Sequence, residues 1–92
     1  MQKSWPEKIE AGAMPSELLL EALADDPTLS GGELAQIFLN EFPGIHRHAR
    51  PFISRWIRPG STTPHGLKTE DMNQRLTELV KEWKMLRNEN EL

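Results

Sequence analysis

Apolar residues along the chain recur at helical spacing, and prolines and glycines cut the pattern into short segments. No run alternates apolar and polar residues as a half-buried strand would, so the pattern predicts an all-α fold of four or five helices. Ser4-Trp5-Pro6-Glu7 has the spacing of a capping box with proline in the first turn. It opens a short helix over 5–11 that Gly12 ends, with Trp5 and Ile9 on one face. Pro15 opens a second helix, which places Leu19, Ala22 and Leu23 on one side and ends at Asp25, ahead of Pro27. Ser30-Gly31-Gly32-Glu33 is another capping box, with Leu29 and Leu34 spaced as a hydrophobic staple. From there Leu34, Ile37, Phe38 and Phe42 form a stripe that stops at Pro43-Gly44.

The fourth segment, 48–58, divides most sharply. Advancing about 100° per residue puts Phe52, Ile53, Trp56 and Ile57 on one half of a helix and Arg50, Ser54, Arg55 and Arg58 on the other. Pro51 belongs in its first turn, which sets the N-cap at His48 or Ala49, and Pro59-Gly60 terminates it. A polar loop from Ser61 to Gly66 follows. Thr69 is placed to cap a last helix, with Glu70 and Asp71 in its first turn, running to Arg87 before a fraying tail at 88–92. Met72, Leu76, Leu79, Trp83 and Leu86 are spaced 4, 3, 4, 3 along it, with Val80 beside them. That stripe reads first as the inner face of a terminal helix. The same five residues also occupy heptad positions and form the candidate interface of a homodimer.

Composition narrows the picture. At 92 residues the chain is expected to form one helical domain over 1–92, with its core in 16–87. The absence of cysteine excludes a disulfide scaffold and any Cys-ligated metal centre. No apolar run, Leu18-Leu19-Leu20 included, exceeds three residues, so no membrane partner is expected. Met1–Pro6 lacks the apolar stretch of a signal peptide, and the expected location is cytoplasmic.

The formal charge of −3 is less informative than its distribution. Residues 1–41 carry Lys3 and Lys8 against Glu7, Glu10, Glu17, Glu21, Asp25, Asp26, Glu33 and Glu41, a local −6. Residues 42–69 contain no acid, but hold Arg47, Arg50, Arg55, Arg58 and Lys68, a local +5. His46 and His48 adjoin the arginines. Segregation of this kind is the footprint of a nucleic-acid-binding face, or of a basic face that pairs with the acidic N-terminal third.

Two strings sharpen the first reading. Glu33-Leu34-Ala35, followed by Ile53-Ser54-Arg55-Trp56-Ile57-Arg58-Pro59-Gly60, resembles the helix-turn-helix of Cro-like phage and bacterial repressors over about residues 30–80. The resemblance implies a small transcriptional regulator whose helix at 48–58 enters the major groove of double-stranded DNA. Arg50, Ser54 and Arg47 would then lie nearest the bases, with Arg55 and Arg58 near phosphate or the groove edge. Lys68 completes the candidate set. The chain departs from the family pattern in its long connection, Pro43 to His48, and in the early Pro51.

The alternative is a small helical adaptor or inhibitor that meets a protein partner through its charged faces, with the last helix mediating dimerisation. Enzymatic chemistry is not expected, nor any cofactor or metal. His46, His48 and His65 have no acid among them, and Gly31-Gly32 lacks the Lys-Ser/Thr of a phosphate loop. No serine sits in a nucleophile-elbow setting. Trp5, Trp56 and Trp83 fall on apolar stripes and read as core anchors, with the Trp56 indole edge nearest the surface.

Overall fold

Five helices follow one another along the chain: α1 (Trp5–Glu10), α2 (Pro15–Asp25), α3 (Gly31–Glu41), α4 (Ala49–Ser54) and α5 (Thr69–Asn90). The computed structural model describes residues 4–61 and 65–90, among which there is no β-strand, so the fold is all-α. Residues 62–64 of the expected polar loop and residues 91–92 of the expected tail lie outside the described residues. The last helix reaches Asn90, past the expected end at Arg87.

A helix start leaves backbone N–H groups without intrahelical acceptors, and each of the first three helices solves this differently. At α3 the expected capping box forms: Glu33 N donates to Ser30 Oγ and Ser30 N to Glu33 Oε1, both at 3.1 Å. Ahead of α2, Met14 has no hydroxyl to offer, and Glu17 Oε1 accepts from Met14 N at 3.2 Å. Ser16 N donates instead to Asn73 Oδ1 on α5 at 2.8 Å, while Asn73 Nδ2 donates to Ser16 Oγ at 2.9 Å. Both residues are buried, so this reciprocal pair fastens α2 to α5 through satisfied polar groups. The box expected at Ser4 does not form, because the Ser4 side chain makes no capping bond. Glu41, at the end of α3, accepts from Trp5 N at 3.0 Å in its place. A carboxylate at a helix N-terminus adds a favourable charge–dipole interaction to the hydrogen bond.

The fourth helix departs most from expectation. It ends at Ser54 and not at 58. Beyond it the backbone extends: Leu67 N donates to Arg55 O, and Ile57 N to Leu67 O, both at 2.8 Å, forming an isolated parallel bridge of Trp56 with Leu67. Pro59 also disfavours helical conformation at Arg58. The helical periodicity of 56–58 therefore does not describe how those side chains are displayed. Trp56 turns inward to 6% exposure, and its Nε1 donates to Thr69 Oγ1 at 3.0 Å. Thr69 is the first residue of α5, one past the cap position expected for it, and this bond ties the start of α5 to the segment after α4.

The core gathers Leu19 from α2, Leu34, Ala35 and Phe38 from α3, Phe42 and Ile45 from the connection, Ala49 and Ile53 from α4, Trp56, and Met72, Leu76 and Val80 from α5. Phe38 and Phe42 stack with ring centroids 4.6 Å apart; Trp5 meets Phe38 and Trp83 meets Phe42 edge-on. Trp83 Nε1 donates to Pro43 O at 2.7 Å, so this half-buried indole satisfies its polar edge.

Two glycines let the segments close. A Cβ on Gly31 would lie 3.1 Å from Ser54 Cα, so its bareness allows the start of α3 to approach the end of α4. Gly66 has φ +140, and a Cβ there would meet Arg55 O at 2.3 Å. Gly66→Ala is expected to lower unfolding stability by about 3 kcal/mol, combining backbone strain with a collision against the bridge. Urea denaturation followed by helical circular dichroism measures this; an unchanged midpoint would mean that the bridge does not set the end of α4.

Candidate nucleic-acid interface

The basic residues of the acid-free stretch are displayed around α4. Ala49 and Ile53 face inward and are buried, which turns Arg50, Pro51 and Ser54 outward, all of them exposed. Arg47 and Arg55 flank the helix and are exposed too. Since His48 and Arg55 keep right-handed helical backbone angles, about 100° per residue places Arg47, Pro51 and Arg55 side by side on the outermost face. Lys68 is exposed one residue beyond Leu67, whose backbone bonds those of Arg55 and Ile57.

Each candidate residue has a definite setting. Arg50 Nη2 donates to Gln36 Oε1 at 2.7 Å, and Gln36 Nε2 donates in turn to Asn40 Oδ1 at 2.9 Å. Ser54 Oγ donates to Pro51 O at 3.3 Å. Arg58 stands apart from the rest. It is half-buried and its Nη2 donates to Leu29 O at 2.9 Å, which fastens the segment after α4 to the connection between α2 and α3. Arg58 is thus held toward the body, off the outward face that the helical reading assigned to it. A cleft of about 600 Å³ opens between the end of α4 and the returning chain, with Arg55, Arg58 and His65 among its walls.

The electrostatics set this face apart. Among the described residues, ion pairs join Lys8 to Glu21 and Lys84 to Glu10, and no carboxylate lies within 4.0 Å of Arg47, Arg50, Arg55, Arg58 or Lys68. Pairing between the basic stretch and the acidic N-terminal third is therefore absent among these groups. Glu33 occupies the same side of α3 as Gln36 and Asn40, but its Oε1 caps Ser30 N. Glu70 and Asp71 lie next to Lys68, in the first turn of α5.

Several neighbours of this face carry no signal in periodicity or charge runs. Gln36 and Asn40 lie four residues apart on the exposed face of α3 and were missed; their link to Arg50 joins that face to α4. Arg75 of α5 lies over the Phe52 ring at 5.4 Å, which puts a further exposed cation on the other flank of α4. His46 and His48 rings approach to 4.3 Å, and His48 N donates to His46 Nδ1 at 3.1 Å. An i to i+4 polar pair could have suggested Gln36–Asn40, but only the packing of α4 against α3 brings Arg50 to them.

The five residues proposed for dimerisation do not share a surface. Met72 and Leu76 are 0% exposed within the chain's own core, Leu79 and Trp83 are half-buried, and Leu86 is 54% exposed. No helix among the described residues is long and apolar enough to cross a membrane. The chain matches no protein-family model, no curated protein and no solved structure.

Arg47 and Arg58 make a direct contrast. Arg58→Ala removes the bond to the Leu29 carbonyl and is expected to lower stability by about 1 kcal/mol, whereas Arg47→Ala should stay within about 0.5 kcal/mol of the parent. Chemical denaturation of the two variants distinguishes them, and equal midpoints would contradict the structural role given to Arg58.

Proposed function

We propose that this protein binds double-stranded DNA through the arginines displayed around α4, as a small transcriptional regulator with α3 and α4 as the two helices of a helix-turn-helix-type unit. The observation that carries the reading is the set of exposed arginines, Arg47, Arg50 and Arg55, with no carboxylate within 4.0 Å among the described residues. In a chain of net charge −3, an unneutralised cationic face calls for an anionic partner.

The geometry shapes how such binding works. At six residues, α4 is roughly 9 Å long and offers a groove little more than one and a half turns. Most of the affinity then comes from phosphate contacts by Arg47, Arg55 and Lys68. Arg50, Gln36 and Asn40 are the groups best suited to base edges, because arginine pairs with guanine, and glutamine or asparagine with adenine, through bidentate hydrogen bonds. Engaging DNA would exchange the Arg50–Gln36 bond for contacts to the duplex. The connection from Phe42 to His48 is longer than the three or four residues common in such motifs, so α4 docks on α3 with its own interhelix geometry.

The test is duplex binding by the whole protein at low salt, followed by fluorescence anisotropy. Replacing Arg47, Arg50 and Arg55 together by Ala is expected to weaken binding by about tenfold or more while leaving the thermal midpoint nearly unchanged. Unaltered affinity in that variant, or no binding by the parent protein, overturns the reading and favours a protein partner for this face.

A further inference from the structure

Away from α4, the first and last helices enclose a groove of about 360 Å³. Pro6 and Ile9 of α1 line it on one side, and Thr77, Val80 and Trp83 of α5 on the other. The floor is apolar: Val80 is nearly inaccessible, and Pro6, Ile9 and Trp83 are half-buried and remain open to an occupant. Lys81, Lys84 and Arg87 recur every third residue of α5 and wind across its groove side, from the flank of Thr77 to that of Trp83. Glu10 pairs with Lys84 across the groove. Lys81 and Arg87 have no carboxylate within 4.0 Å among the described residues. The Arg87 guanidinium sits 4.8 Å from the Trp83 ring centroid, which holds a cation at the groove's mouth. Glu82 falls on the opposite side of α5, at about 100° per residue, and Glu78, three residues before Lys81, lies on the outer flank of that lysine. Three cations thus face one carboxylate around an apolar floor, in an otherwise acidic chain.

We propose that this groove binds a small monocarboxylate with an apolar body. The body would lie on Ile9, Val80 and Trp83, and the carboxylate would accept charge-assisted hydrogen bonds from Arg87 and Lys81. Size selects this occupant over a helical segment of another protein. One wall is α1, only six residues and roughly 9 Å long, whereas a docked amphipathic helix is read over several turns. The volume lies at the small end of the range for ligand pockets, where an apolar lining and a few convergent polar groups give both affinity and orientation. The site does not involve the arginines of α4, so it stands or falls independently of DNA binding.

Titrating the full chain with decanoate, and separately with decanol, while recording amide, indole and methyl NMR signals tests the proposal. Saturable shifts are expected at the Trp83 indole N–H and the Ile9 and Val80 methyls, with decanoate binding about tenfold more tightly than decanol. The double variant Lys81→Gln/Arg87→Gln should remove that preference, and Thr77→Leu, which fills the groove, should weaken both probes; retained dispersion of the spectra shows that each variant folds. Equal affinity for the two probes, a preference unchanged by the double variant, or shifts that miss the groove would each overturn it.

Discussion

The short backbone pairing between Arg55–Ile57 and Leu67 is the constraint on which the rest of the molecule depends. It stops α4 at Ser54, buries Trp56 and, through the Trp56–Thr69 bond, places the first turn of α5. It also parts two arginines that are three residues apart. Arg55 remains outside with Arg47 and Arg50, while Arg58 turns back to the Leu29 carbonyl. An uninterrupted helix over 48–58 would have displayed all of them together. Gly66 is the residue that permits the pairing, because a side chain there would occupy the space of the Arg55 carbonyl.

A second constraint concerns the acids. Glu17, Glu33 and Glu41 each accept a backbone N–H at or next to a helix start. Glu10 and Glu21 pair with lysines, and Asp26 accepts from the Thr28 hydroxyl and backbone, which hold its carboxyl below the usual carboxylate range. The carboxylates of the N-terminal third are largely held at helix starts, turns and two lysines away from α4, with Glu10 and Glu21 paired to a cation. This division explains how an acidic chain keeps an unneutralised cationic face: the acids do structural work near their own helices, and α4 is surrounded by neutral or basic neighbours such as Gln36, His48 and Arg75.

What could be read from the chain follows the range of the interactions involved. The limits of α2 and the Ser30–Glu33 box are legible, because proline placement and capping act within a few residues. The inward stripe of α5 is legible for the same reason as far as Trp83, and it fails at Leu86 because the body ends before the helix does. The end of α4 is not legible. Locally, residues 55–58 continue a good amphipathic pattern, and the two backbone bonds to Leu67, with Pro59 beyond them, override it. Glu41 displacing Ser4 at the start of α1, and Asn73 serving α2, are likewise contacts between distant segments. For the candidate face, residue type and charge segregation pointed to Arg47, Arg50 and Arg55, which are exposed, whereas the inward turn of Arg58 and the chain from Arg50 to Gln36 and Asn40 required the packing of distant segments.

Duplex binding through α4 has a quantitative signature in its salt dependence, because every phosphate neutralised releases counterions. The decisive measurement is the slope of log affinity against log salt for the parent chain and for the chain lacking Arg47, Arg50 and Arg55. Each phosphate contact contributes about −0.9 to that slope, and Arg47 and Arg55 are the two assigned to phosphate, so the two slopes should differ by roughly 2 units, the parent being steeper. Parallel slopes would show that Arg47 and Arg55 do not meet phosphate, and would contradict the role given to α4.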